Sequence, residues 1–149
     1  MRYHLRILTL AAVAAGGAAC DEKLSSLAGP TPNLEATFSS VQANIFETTD
    51  SAGRTACINC HTNVGRVPDG GLNLRHDVAY DQLVNRAAVG KSGATRVIPG
   101  DPNGSYLVQK IEGRPGIVGL RMPFNGPPYL TSGQIAILRR WIEEGAQRN

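Results

Sequence analysis

Two cysteines separated by two residues and followed at once by a histidine, Cys57-Ile58-Asn59-Cys60-His61, constrain this chain more than any other stretch. The spacing sets the thiols about one helical turn apart. Both can face one edge of a flat ligand while the imidazole swings under its centre. That unit is the attachment signature for haem c, with two thioethers to the vinyl groups and one axial nitrogen on the iron. Two other chemistries use a Cys-x-x-Cys pair. A structural zinc site needs four protein ligands, and beyond the N-terminal segment the chain offers only His76 and acidic residues to complete one. A redox disulfide of the thioredoxin kind expects a strand-helix-strand setting, and nothing around Cys57 alternates as a strand does. The expected cofactor is one covalent haem c held by Cys57, Cys60 and His61.

The N-terminus bears on the compartment. Arg2 and Arg6 precede a short run of small and apolar residues, and Gly16 to Ala19 are all small before Cys20. This is the arrangement of an export signal, and it is shorter than the ~20 apolar residues of a spanning helix. A cysteine at the junction resembles a bacterial lipoprotein signal, although Gly17 stands where that class usually has a larger aliphatic residue. The resemblance implies that Cys20 is lipidated and begins the mature chain. Domains are expected at 1–19 (signal peptide), 20–37 (anchor Cys and flexible tether, with Pro30 and Pro32) and 38–149 (a single folded domain).

Export changes the charge argument. The whole chain carries 15 Lys/Arg and 12 Asp/Glu, a formal +3, but without Arg2 and Arg6 the balance falls to 13 against 12, or +1. No basic run remains to suggest nucleic acid. The third cysteine is accounted for by the anchor, so no structural disulfide is expected.

Four helices are readable between the turn-forming residues. Val41, Ile45 and Phe46 give an apolar face behind Ser39 or Ser40 as N-cap. Asp77 to Ala88 carries Tyr80, Leu83, Val84 and Ala87 on one side. Asp101-Pro102 reads as N-cap and first helical residue, leading to Leu107, Val108 and Ile111 before Gly113 and Pro115. Thr131 and Gln134 make a capping box, Ile135, Leu138, Trp141 and Ile142 form the buried stripe, and Gly145 gives the exit. The last helix is expected to pack on the first. Aromatic residues are only 5% of the chain, so a haem plate would supply much of the core.

A sixth iron ligand is suggested by elimination. With Met1 lost in the signal, Met122 is the sole methionine of the mature chain, followed by Pro123 in a Gly/Pro-rich loop. A thioether is a soft neutral donor that favours ferrous iron and suits electron transfer. A gap-filling core methionine is the plainer role, and His76 is the competing iron donor.

The order of these elements now supports a resemblance. A helix, Cys57-x-x-Cys60-His61, Gly71-Leu72-Asn73-Leu74, Val97-Ile98-Pro99-Gly100-Asp101-Pro102, Ser105-x-Leu107, Met122-Pro123, Leu130-Thr131 and Trp141-Ile142-x-x-Gly145-Ala146 together resemble bacterial monohaem cytochrome c domains, particularly the planctomycete-type group. Most of residues 41–146 is covered. The resemblance implies a mostly α, class I-like fold wrapped around one haem, with Cys57 and Cys60 as thioether positions, His61 as proximal ligand and Met122 as distal ligand. The family often has a second Pro after Met-Pro, where this chain has Phe124. The function so implied is one-electron transfer without enzymatic turnover, between redox proteins of the periplasm or membrane, by a monomer anchored through Cys20. The alternative is a haem enzyme or small-ligand sensor with a displaceable or absent sixth ligand.

Overall fold

The structure, a computed structural model, describes residues 34–149. The expected signal, Cys20 and the expected tether as far as Asn33 lie outside the described residues. Among the described residues there is no strand, only short helices, tight turns and isolated β-bridges. No helix there is long and apolar enough to cross a membrane.

Helix α1, Phe38–Val41, runs on into a single π turn, Gln42–Phe46, closed by the bond from Glu47 N to Gln42 O (3.0 Å). Its N-cap is Thr37, not Ser39 or Ser40: the Thr37 hydroxyl accepts from Ser40 N at 3.2 Å, and both serines lie within the first turns. The packed region reaches upstream of residue 38, because Leu34 and Ala36 already lie against the core. Phe38, Val41, Ile45 and Phe46 are all buried.

The expected helix from Asp77 to Ala88 is cut to α2, Ala79–Leu83. Val84 turns extended and Asn85 takes a positive φ of 56°, a conformation that asparagine tolerates better than most side chains. Residues 85–88 then spend their backbone groups on the segment 94–97 instead of on a helix. Asn85 N donates to Val97 O (2.9 Å), Arg96 N to Arg86 O (2.7 Å) and Ala88 N to Ala94 O (2.8 Å).

The third helix also begins later than expected. Asp101 caps a turn, its Oδ1 accepting from Gly104 N at 2.8 Å, and α3 spans Tyr106–Glu112 behind Ser105. Ser105 is buried, and its hydroxyl donates to Asp101 O at 2.7 Å and accepts from Ile98 N at 2.9 Å. The Val97-to-Asp101 segment is thereby pinned against the helix start. Gly113 ends α3 with φ 71°, the left-handed exit expected of it.

Helix α4, Ser132–Glu143, has the reciprocal capping box: Thr131 Oγ1 accepts from Gln134 N (3.2 Å), and Gln134 Oε1 accepts from Thr131 N (2.9 Å). Leu138, Trp141 and Ile142 are buried on its inner face. Trp141 meets Phe38 of α1 at 5.5 Å between ring centroids, and Tyr80 of α2 meets the same Phe38 edge-on at 5.2 Å. The expected packing of last helix on first is present, with the short α2 joined to it. Asn149 closes the chain on α1, its backbone O accepting from Ser39 N (2.8 Å).

Candidate functional site

The Cys57-to-His61 segment is positioned by its own backbone and by a buried arginine upstream. A 3-10 turn, Cys57–Asn59, forms as Cys57 O accepts from both Cys60 N (3.2 Å) and His61 N (3.0 Å). Before it, Arg54 is wholly buried. Its Nε pairs with Asp50 Oδ2 at 3.1 Å, while its remaining nitrogens donate to the carbonyls of Ile45 (3.1 Å), Thr48 (3.1 Å) and Thr55 (3.2 Å). One guanidinium thus ties the π turn and the residues just after it to those leading into Cys57. Burial alone would push the Asp50 carboxyl up, but the hydrogen bonds and charge of Arg54 outweigh it and hold the group below its ordinary value.

Residues 60–74 return on themselves and fix the imidazole. Asp69 N donates to Cys60 O (3.2 Å), and Leu74 N donates to His61 O (2.8 Å). Gly70 and Gly71, with φ of 62° and 60°, make the turn that aims Asp69 O at His61 Nδ1, 2.9 Å away. A carbonyl can only accept, so Nδ1 carries the proton and Nε2 keeps its lone pair, the tautomer of an imidazole ready to ligate a metal. Burial pulls the ring below its ordinary pKa, only partly offset by the Asp69 carbonyl.

Cys57 and Cys60 are partly exposed and not joined in a disulfide. Burial pushes the Cys57 thiol up, and Arg54 Nη1, 3.9 Å from its sulfur, partly opposes the shift. Both cysteines and His61 line one largely apolar cleft. Its far wall comes from distant sequence: Leu83 of α2, Leu107 and Ile111 of α3, Leu138 of α4, and Met122. Met122 is held by a bond from its N to Lys110 O at 2.9 Å. The mouth carries exposed Val89, Val118 and Phe124.

The four candidate residues Cys57, Cys60, His61 and Met122 are therefore brought to one cavity. His76 is not. It is 77% exposed, 3.7 Å from Glu47 Oε1, beside a separate shallow depression. Among the described residues no three His, Cys, Asp or Glu side chains gather as a metal-only site would require. Two thiols, an imidazole of defined tautomer and a thioether around an apolar cleft form a donor set that fits a covalently held haem.

Two residues of the site carry no motif. Arg54 and Arg96 are buried arginines, and what sets them apart is burial, which no spacing in the sequence reveals. No family model, no curated protein and no solved structure matches this chain.

Proposed function

We propose that this protein is a one-electron carrier of the bacterial cell envelope, a class I-like cytochrome c domain with one covalent haem c. The observation that carries the reading is the convergence of Cys57, Cys60, His61 and Met122 on a single apolar cleft, although Met122 stands about sixty residues from the others. When bound, the haem supplies the one-electron chemistry. Cys57 and Cys60 would hold its edge as thioethers. His61, its ring oriented through Asp69 O, would offer Nε2 to the iron, and Met122 would offer its sulfur, a donor pair that would raise the reduction potential. The apolar walls exclude water. Val89, Val118 and Phe124 at the mouth give a dry contact for a redox partner. The proposed setting is the periplasmic side of a membrane, with the protein held through Cys20 as a monomer.

Spectra of the purified protein test this. The oxidised wild type is expected to be low-spin with a sulfur-to-iron charge-transfer band. Met122→Ala should lose that band, bind carbon monoxide or cyanide at once and show a lower reduction potential, while His76→Ala should match the wild type. A wild type already five-coordinate and open to small ligands would replace electron transfer with the alternative, a haem enzyme or small-ligand sensor.

A further inference from the structure

Residues 121–129 form a compact loop whose two ends meet. The Arg121 guanidinium lies over the Tyr129 ring, 4.1 Å from its centroid, and Gly126 leaves room for that ring, since a Cβ there would run into it. This neck is fastened to α3: Arg121 Nε donates to Ile111 O (2.8 Å) and Met122 N to Lys110 O (2.9 Å). Downstream, Leu130 is buried just ahead of α4. The tip is held differently. Apart from the turn closed by Gly126 N on Pro123 O (3.0 Å), residues 123–129 make one hydrogen bond among the described residues, from Asn125 Nδ2 to Thr55 Oγ1 at 2.9 Å. Thr55 stands on the Cys57 side of the cleft, and both partners line it. Its anchorage is firm, because its carbonyl accepts from the buried Arg54 through Nη1 (3.2 Å). The Asn125 bond itself is exposed.

Met122 stands between neck and tip. Its amide is fixed on α3, but the chain that follows it is bonded to the rest of the protein only at Asn125. We propose that Thr55 and Asn125 are positioning residues for Met122: their bond clasps the loop across the cleft, and its rupture lets the sulfur give way to an outside ligand. The inference rests on the haem reading with Met122 as sixth ligand, and it names the part of the chain that sets how displaceable that ligand is. The bond is neutral and open to water, which competes for both partners and keeps the clasp weak. Such a loop is closed at rest and opens locally without unfolding the core. A ligand that binds only the open form has its affinity reduced by the fraction of molecules that are open. Losing the clasp should raise that fraction about 2- to 5-fold, the worth of one modest hydrogen bond.

The test is a titration of oxidised holoprotein with imidazole, read as loss of the sulfur-to-iron band. Covalent haem and that band are checked first in wild type. Absence of either defeats the ligand assignment, and the inference with it, in a way that no variant result imitates. Thr55→Val and Asn125→Ala should each keep the band before imidazole is added and raise the apparent imidazole affinity about 2- to 5-fold. The double variant should gain nothing beyond either single one, because both remove the same bond. Thr55→Ser keeps the hydroxyl and should match wild type. In a Met122→Ala background no sulfur competes, so Thr55→Val should leave the affinity unchanged. An equal rise there would mean a merely wider cleft mouth and would overturn the inference. Wild-type affinity in both single variants also overturns it, as does a fully additive double variant. If one single variant fails to take up haem, the other removes the bond from the opposite side and decides by the same comparison.

Discussion

Replacing Arg54 by Met should unfold the approach to Cys57 more than any surface change could. In the wild type the guanidinium is wholly buried and makes one ion pair, at 3.1 Å, and three carbonyl bonds, at 3.1, 3.1 and 3.2 Å. Hydrogen bonds to a charged group contribute about 1.5–3 kcal/mol each, so simple addition over four of them would overshoot. The Asp50 side chain is 17% exposed and keeps some water. Two of the three carbonyl bonds are only partly buried, that to Ile45 O being the sealed one. The expected loss is therefore about 3–5 kcal/mol, the usual cost of breaking a buried pair from one side. A domain of this size should then melt about 10 °C lower or more. Denaturant unfolding of the holoprotein measures it. Asp50 adds a pH signature. Its folded pKa lies below the unfolded value of about 3.9, so its contribution is present above that pH and disappears as pH falls through the folded value. Asp50→Asn should flatten that part of the acid limb. An Arg54→Met protein within about 0.5 kcal/mol of wild type, the range of an ordinary surface substitution, would refute the reasoning.

Other perturbations have equally definite expectations. Replacing both Cys57 and Cys60 by Ala should release the haem on denaturation, read by haem stain on a gel; retention of stain would defeat the attachment assignment. Wild-type protein should fractionate with membranes and Cys20→Ala should not, since stable anchoring takes more than one acyl chain at about 0.8 kcal/mol per buried methylene; a wholly soluble wild type would rule the anchor out. Thr131→Ala removes one half of the capping box of α4 and should destabilise the domain by about 1 kcal/mol, measured as a shift in unfolding midpoint without change in slope; no shift would mean that α4 is held by Trp141 and Leu138 alone.

Features set by near neighbours were mostly legible in the sequence, the N-cap of α1 excepted, which is Thr37 and not Ser39 or Ser40. The capping box of Thr131 and Gln134, the stripe through Leu138, Trp141 and Ile142, and the stop at Gly113 depend on residues within a turn or two of each other, so composition and spacing suffice. The Cys57-to-His61 turn is of the same kind. Its backbone bonds span only three or four residues.

Where a segment had two competing partners, only the tertiary structure decided. Residues 84–88 have helical spacing, yet Val97 and Arg96 offered them backbone bonds that a continued α2 would have forfeited. Asp101 has the chemistry of an N-cap, yet the buried Ser105 hydroxyl, tied to Ile98 N and Asp101 O, moved the start of α3 downstream. The placing of Met122 and His61 on one cleft, the exclusion of His76 from it and the burial of Arg54 and Arg96 likewise follow from how helices and turns far apart in the chain pack together. Capping and spacing act over one or two turns of backbone, whereas burial and the pairing of charges depend on groups that only folding brings within reach.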